Sequence, residues 1–467
     1  MKLTVFILFL LGIQLSCVPH TYVKTESLRA NIPKQYANAS TPDNKKVGTQ
    51  AWWKEFNDEK LDQLVTNALK ANLDIEMSKA RLDQALALAR KTGAAYWPKL
   101  EASAGASRSQ SISPFTGGEL TSNRFDLSVA AAYEIDLWGK YRNQRAGALA
   151  DVNASIHDVE SVSMTIAAQV AETWYFLGEQ RSQARLLQEQ TAINETMFKL
   201  VKARFEQGLA SALDVYQQQQ QLIRTRRRLQ PTSAQVVILE NQLAVLLGKT
   251  PGEIIPTQES PLPELHNLPK FGLPADLILR RPDIRSAEAR IIAADHRVAS
   301  AFADRFPAIR LSASGGLQAQ DLEDLIDNFV WNLVGGLVLP LFDGGSRSAE
   351  VQRQEAVLRL NLAQYKKTVL LSLKEVEDAL IRLQKKSLEL KELDLELKVS
   401  QATFNEAQNR YLQGLSNYLP VLTALASLQE SQRANLNAKR QLTSYRIQLY
   451  RALGGPISSE VPKDSNQ

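Results

Sequence analysis

Cysteine, histidine and the glycine-rich nucleotide-binding motifs are scarce in this chain, and their scarcity excludes most classes of enzyme. The 467 residues include one cysteine and four histidines, which form neither a disulfide pair nor a spacing typical of metal ligands. We find no nucleophile–base pair, no phosphate-binding loop and no dinucleotide-binding fingerprint. The sequence therefore indicates a protein that is not an enzyme and that uses no cofactor or metal ion.

An excess of one charge and long apolar runs are also lacking. The 55 basic and 50 acidic residues leave a net charge of +5, which is too small and too scattered to predict a nucleic-acid partner. Beyond the N-terminus, no run is long and apolar enough to predict a transmembrane helix.

The N-terminus has the features of a secretory signal peptide. Lys2 precedes an apolar run, LTVFILFLLGIQLSC, that is too short to span a membrane. The only cysteine, Cys17, follows Ser16 where cleavage would fall, as in a bacterial lipoprotein, although Gln14 departs from the usual motif. The alternative is a buried or incidental thiol. The first interpretation predicts a signal peptide at 1–16 and lipid attachment at Cys17, which would anchor the exported chain.

The chain contains a tandem duplication. The stretch RFEQGLASALDV, from Arg204 to Val215, recurs 206 residues later as RYLQGLSNYLPV. Three other pairs repeat at nearly the same offset: YWPKLEASAGAS with RFPAIRLSASGG, EIDLWGKYR with VLPLFDGGSR, and LAVLLG with LYRALG. We therefore predict two repeats of roughly 200 residues. Six prolines between them, at 249–274, favour an extended linker.

Each repeat contains two segments in which apolar and polar residues alternate, the pattern of a β-strand with one apolar face. These predict strands at about 98–108, 124–136, 307–317 and 329–341. Such strands are long enough to cross an outer membrane when tilted. Four strands cannot close a barrel, and an open sheet edge is not tolerated in lipid. Three chains would supply twelve strands.

The rest of the sequence favours helix. Glycine and proline nearly vanish from Tyr141 to Gln207, and a helix over that range would reach roughly 100 Å. Apolar residues recur at coiled-coil spacing in two sets: Ile284, Ala287, Ile291, Ala294, Val298 and Ala301, and Leu373, Val376, Leu380, Leu383 and Leu390. Each glycine motif then predicts a turn between antiparallel helices, with Gly208 and Gly414 in the left-handed conformation. The hairpin tips lie at about 206–214 and 412–420.

Several motifs in order resemble the TolC-like outer membrane factor family, and more closely its lipoprotein branch that serves RND-type multidrug efflux pumps. The similar segments are Trp52–Ala85, which looks like that branch's opening helix, Gly272–Gly316 and Gly414–Gln432. The resemblance spans Tyr22 to Pro456. It implies a mostly α-helical homotrimer with a small membrane β part, in which a twelve-stranded β-barrel continues into a twelve-helix periplasmic α-barrel.

The same resemblance implies a function. Members of the family are passive outer membrane channels that export small molecules, and their partners are a periplasmic adaptor protein and an inner-membrane RND pump. Outer membrane lipid surrounds the barrel. The helical tip is closed at rest and opens by an iris-like untwisting of the hairpins.

The resemblance also assigns residues to the tip. An aspartate of the first hairpin faces a tyrosine of the second in the family, and the matching positions here are Asp214 and Tyr411. Asn417 and Tyr418 complete the candidate gate with the two hairpin glycines. The alternative role for Asp214 is a helix N-cap.

Other polar positions of the hairpins are less specific. The acidic residues that the family often places around the aperture correspond to Pro420 and Thr423. The runs Gln217–Gln221 and Arg224–Arg228 have two interpretations, a solvated helix face or a polar lining of the tunnel or adaptor groove. Five consecutive helical residues span every face, so not all of them can line the lumen.

The predicted organisation is a signal peptide at 1–16, a lipidated extended segment at 17–50, a first repeat at 51–248, the linker at 249–274, a second repeat at 275–455 and a polar tail at 456–467. Two other functions stay open: a channel for type I protein or peptide secretion, and a lipid-anchored structural coiled coil. The second does not explain four alternating strands at matching places in two repeats.

Overall fold

The computed structural model describes residues 22–23, 36–37, 51–112, 117–253, 262–263 and 280–455, without the side chain of Leu120. Cys17, the signal peptide, the C-terminal tail and most of the two predicted extended segments lie outside these residues. The chain divides into two compact units. The first contains Arg81–Ile156 and Ser286–Lys366 with residues up to Leu28, and the second contains Arg29–Ala80, His157–Arg285 and the chain from Lys367 onward.

Seven α-helices account for most of the described residues. They are α1 (Glu59–Ala71), α2 (Leu73–Gly93), α3 (Lys140–Glu206), α4 (Ala212–Leu246), α5 (Pro282–Ala303), α6 (Ser346–Leu412) and α7 (Leu419–Ala452). Short 3-10 helices lie at Trp52–Phe56, Ala94–Tyr96 and Leu322–Asp324. None of the helices within the described ranges is both long and apolar enough to cross a membrane.

The segment expected to form one opening helix is divided. Trp52–Phe56 forms a 3-10 turn, and the following α-helix is interrupted at Asn72. Asn72 is buried; its side-chain Nδ2 donates to the carbonyl of Leu246 at 3.0 Å, and its Oδ1 accepts from the backbone of Asp74 at 2.9 Å. The side chain thereby caps α2, so the break is held by specific hydrogen bonds.

Four antiparallel strands form one sheet in the order β1 (Lys99–Ile112), β2 (Glu119–Ile135), β3 (Ala308–Ala319) and β4 (Phe329–Val338). The second strand of the first repeat pairs with the first strand of the second repeat, with Val129 opposite Gly315. This register places most of the large apolar residues of the four strands on one face. The members of that face include Leu100, Ala102, Leu127, Val129, Leu311, Ala313, Trp331 and Leu333.

The opposite face of the sheet is mostly polar, although Val330, Val334 and Val338 of β4 lie on it. Ser103 and Ser128 lie opposite each other with their hydroxyl oxygens 2.9 Å apart. Nearer one end, Arg310 donates to Glu134 at 3.1 Å. The alternation in the sequence therefore predicted the two faces correctly.

The strand ends differ from the alternation pattern. β1 continues to Ile112 and β2 begins at Glu119, so pairing extends beyond the predicted strands into the stretch between them. β4 ends at Val338, three residues before the predicted end. Pro340, which lacks a backbone N–H, follows that end and cannot donate to a strand ladder. Leu339 and Leu341 are therefore not strand residues.

The second unit contains an aromatic core. Trp52 stacks on Tyr450 with ring centroids 5.6 Å apart, and the Tyr450 hydroxyl donates to Glu55. Asp58 caps α1 through the backbone of Lys60 and also accepts a hydrogen bond from the Trp174 indole at 2.8 Å. Burying these rings stabilises the packing of α1 against α3 and α7.

Candidate functional site

The two hairpin tips are built by the same backbone motif. In the first tip, the N–H of Gly208 donates to the carbonyl of Phe205 at 2.9 Å, and the N–H of Leu209 donates to the carbonyl of Arg204 at 2.8 Å. Gly414 and Leu415 repeat the pattern with Tyr411 and Arg410, at 3.0 and 2.8 Å. Paired bonds of this kind form a Schellman motif, which requires a left-handed residue. The φ angles of Gly208 and Gly414 are 73° and 75°.

Replacing the second tip glycine is expected to loosen that hairpin. A Cβ at Gly414 would meet nothing within 4 Å, so the cost of Gly414→Ala is conformational, about 1–2 kcal/mol for a left-handed residue with a side chain. We expect faster amide hydrogen exchange at the end of α6. Gly336→Ala is the control, because that glycine has equal space and is not among the positive-φ glycines of the described chain. Unchanged exchange in Gly414→Ala would contradict the prediction.

The helices that leave the two tips begin differently. The Ser211 hydroxyl oxygen accepts a hydrogen bond from the backbone N–H of Asp214. In return, the Asp214 carboxylate accepts from the backbone N–H of Ser211 at 3.0 Å and from the Ser211 hydroxyl at 2.8 Å. This is a capping box. Asp214 is therefore the third residue of α4 rather than its N-cap, which is Ser211. In the second tip, α7 begins with a proline in its first turn and its N-cap, Tyr418, forms no side-chain cap.

The hydrogen bond expected between Asp214 and Tyr411 is not formed. The Asp214 carboxylate is engaged in the capping box, and the buried Tyr411 hydroxyl has no hydrogen-bond partner among the described residues. The Tyr411 ring instead packs edge-on against Tyr418, with centroids 5.2 Å apart. The Tyr411 ring also contacts Arg204, whose guanidinium carbon lies 4.5 Å from the ring centroid, a cation–π geometry.

Tyr418 carries the hydrogen bond that Tyr411 lacks. Its hydroxyl donates to Oε1 of Gln218 at 2.8 Å, and both residues are buried. Burial raises the pKa of Tyr411 and of Tyr418 above the ordinary value of a phenol. Both hydroxyls therefore stay protonated at neutral pH, and Tyr418 remains a donor.

Gln218 belongs to a buried network of amides that joins the two hairpins. Its Nε2 donates to the Asn194 carbonyl at 2.9 Å. Asn194 Nδ2 in turn donates to Thr225 Oγ1 at 3.0 Å and to Gln429 Oε1 at 3.2 Å. Gln221 donates to the same Gln429 oxygen at 3.1 Å. Asn194, Gln218 and Thr225 lie on α3 and α4 of the first hairpin, whereas Gln429 lies on α7 of the second.

The network continues away from the tip through Gln190. Its Nε2 donates to the backbone carbonyl of Gln429 at 3.1 Å and to Gln432 at 2.8 Å. Arg433 donates to the Gln190 oxygen and also to Glu430, and that bond holds the pKa of Glu430 below its usual value. We call Gln190, Asn194, Gln218, Gln221, Thr225 and Gln429 the amide network. All of these side chains except the half-buried Gln221 are buried. Gln429 Nε2 has no partner among the described residues, and a shift of helix register would leave the other groups without partners too, so the network favours one register.

Neither interpretation of the glutamine run, a solvated helix face or a polar lining, describes Gln218, which is buried. Gln218, Leu222 and Thr225 are all buried, at the i, i+4 and i+7 positions of one helix face. Leu222 is the first apolar residue after the run, so its spacing was the available signal. Of the arginines that follow, Arg226 pairs with Glu195 and Arg228 with Glu430 at 3.2 Å.

The remaining tip residues are open to solvent. Asn417 and Pro420 are exposed, and the exposed Thr423 hydroxyl donates to the Leu419 carbonyl at 3.0 Å. No cluster of His, Cys, Asp and Glu in the described ranges could hold a metal ion. What the arrangement does is join the two hairpins through buried hydrogen bonds.

Comparison with known proteins places this architecture among membrane channels. A family model described as outer membrane efflux protein matches residues 64–249 and 273–455. The pyoverdine export outer membrane protein OpmQ of Pseudomonas putida is 32% identical, over 88% of this chain and 89% of its own. The toluene efflux pump outer membrane protein TtgF of Pseudomonas putida is 30% identical, over 90% and 88%. The outer-membrane channel OprN matches with a TM-score of 0.86 at 27% identity, covering 91% of this chain and 97% of that one.

Proposed function

The chain belongs to the outer membrane efflux protein family, and from this membership we propose that it is the passive conduit of a tripartite pump. It exports small molecules across the periplasm and the outer membrane. It performs no chemistry, and the choice of substrate rests mostly with the inner-membrane RND pump. A periplasmic adaptor protein joins that pump to the hairpin tips.

The observation that carries this proposal is the sheet. It presents one continuous apolar face, and its two edge strands, β1 and β4, each have one side unpaired within the described part of the chain. Unpaired edges of this length are avoided in water and forbidden in lipid. Three copies, with β4 of each pairing with β1 of the next, close a twelve-stranded barrel. The same symmetry places twelve helices in a periplasmic tube.

The gate lies at the hairpin tips of the tube. The amide network keeps the second hairpin against the first in each chain, and the iris opens when an adaptor binds the released arrangement more tightly. Asp214 and Tyr411 belong to this region as a capping residue and a packing residue. Gly208, Gly414 and Asn417 shape the turns, and Tyr418 connects the second turn to the network.

A gene deletion tests this function, with susceptibility to a panel of antibiotics, solvents and dyes as the measurement. We expect the deletion strain to accumulate more of some compounds, and a plasmid copy to restore efflux. Purified protein should also give discrete channel events in a planar bilayer. A silent bilayer would favour the structural coiled coil, and normal compound efflux together with lost protein secretion would favour the secretion channel.

Lipid attachment at Cys17 is a separate prediction. Cys17→Ser is expected to abolish labelling by a palmitate analogue, because the thiol is the group through which the lipid is attached. The trimer is still expected to insert, since the barrel contributes far more membrane affinity than the acyl chains. Ser16→Ala serves as the control, because it changes a neighbour and keeps the thiol. Equal labelling of Cys17→Ser would exclude the lipoprotein assignment.

A further inference from the structure

A cavity of about 700 Å³ lies beside the first strand, in the first compact unit. Its lining includes Arg90 and Arg145 with Tyr96, Trp97, Leu86 and Leu149. The volume is in the range of small-molecule sites. One part of the wall is therefore cationic and another apolar, which is the character of a site for an amphipathic ligand.

The cavity's position relates it to the membrane. Tyr96 and Trp97 come directly before β1, whose Leu100 is on the apolar face and 73% exposed. Other aromatic residues lie at the same end of the strands. Trp138 follows β2 and stacks on Phe306, which precedes β3, with ring centroids 4.9 Å apart. Aromatic residues concentrate at the two interfaces of membrane β-barrels, where one side of the ring is apolar and the other is wet.

The two arginines are available to a ligand. Neither Arg90 nor Arg145 forms an ion pair or hydrogen bond in the part of the chain that the structure describes. The Arg145 guanidinium carbon lies 5.7 Å from the centroid of the Tyr96 ring, which orients the group without using its donors. Trp97 is 75% exposed. Two guanidinium groups offer forked N–H donors that match the oxygens of a phosphodiester.

We propose that this cavity binds the headgroup of an anionic phospholipid in the periplasmic leaflet of the outer membrane. The phosphodiester lies between Arg90 and Arg145, the Trp97 indole lies at the glycerol level, and Leu86 and Leu149 contact the first methylenes. Basic pockets beside membrane-spanning elements recognise acidic headgroups in this way. The assignment rests on the proposed barrel, because only a membrane-spanning sheet brings the cavity to the lipid surface.

Native mass spectrometry of the delipidated trimer tests the site. The probes are phosphatidylglycerol and phosphatidylcholine with the same acyl chains. We expect the wild type to retain phosphatidylglycerol preferentially, and the double variant Arg90→Gln with Arg145→Gln to lose about tenfold in that preference, since two charge-assisted contacts are removed. The matched control is Arg224→Gln with Arg227→Gln, two exposed arginines of α4 outside the cavity. It should keep the wild-type preference.

Three results would overturn the proposal. The first is an unchanged preference in the Arg90 and Arg145 variant. The second is displacement of the lipid by millimolar inorganic phosphate alone, which would indicate a site for a free anion. The third is a lack of quenching of Trp97 fluorescence by brominated phosphatidylglycerol, where the Trp97 signal is the difference between the wild type and Trp97→Phe. That result would indicate that a neighbouring copy covers the cavity. Normal single-channel conductance of the double variant separates failure of the lipid site from failure of the channel.

Discussion

Arginine at Leu333 or Val129 is expected to prevent stable assembly in the outer membrane, whereas arginine at Ser312 is expected to be tolerated. Leu333 and Val129 belong to the apolar face of the sheet and are 70% and 53% exposed in the single chain. If that face meets lipid, an arginine near the bilayer midplane costs about 2–4 kcal/mol. A homotrimer incurs the cost in each copy. The fraction of heat-resistant trimer in isolated outer membranes measures the effect.

Ser312 makes a close control for Leu333. Leu333 pairs with Ala313, the residue that follows Ser312 on β3, so the two substitutions lie at nearly the same depth on opposite faces. In the proposed barrel, an arginine at Ser312 would project into the water-filled lumen, where it would change conductance and ion selectivity rather than assembly. Equal assembly of the Leu333→Arg and Ser312→Arg variants would show that the two faces have been assigned wrongly.

The two faces could be predicted from the sequence because a sheet with one apolar and one polar face requires apolar and polar residues to alternate along most of its strands. The strand ends could not be predicted in the same way. Ser109 and Gln110 pair with Ser122 and Thr121, in a stretch where apolar and polar residues do not alternate. Beyond the lipid no side chain needs to be apolar, so backbone pairing alone extends the ladder and leaves no periodic signal.

At the hairpin tips, the turns could be predicted from the sequence, whereas the hydrogen-bond partners of the buried side chains could not. The repeated glycine predicts a left-handed turn because few other residues adopt that conformation, and both glycines adopt it. The partner of a buried polar side chain depends on the packing of three helices. Gln218 and Tyr418 are 200 residues apart in sequence and 2.8 Å apart at their polar atoms. The family resemblance implies a pair between Asp214 and Tyr411, whereas the hydrogen bond in the structure is made by Tyr418, the other tyrosine of the candidate gate.

Removing one hydroxyl group from Tyr418 is expected to raise the resting conductance of the channel. In Tyr418→Phe the buried Gln218 oxygen loses its donor, which costs about 1–3 kcal/mol when water cannot replace it. If the closed tip is the state that buries this group, the cost falls on that state alone. Each chain would then shift the equilibrium between closed and open tips by about tenfold for every 1.4 kcal/mol. Single-channel recording of purified trimers in a planar bilayer measures the open fraction.

Tyr411→Phe is the matched control, because it removes the same hydroxyl from a buried ring only 5.2 Å away. That hydroxyl has no hydrogen-bond partner among the described residues, so its loss should be nearly silent. Asp214→Asn should also be nearly silent, since the amide oxygen of asparagine can accept the same capping-box hydrogen bond from the Ser211 backbone. Gln218→Leu should reproduce the Tyr418→Phe phenotype, because it leaves the Tyr418 hydroxyl buried without its acceptor. The opposite pattern, an open channel in Tyr411→Phe and wild-type conductance in Tyr418→Phe, would return the gate to the Asp214–Tyr411 contact implied by the family resemblance and reduce the amide network to a structural role.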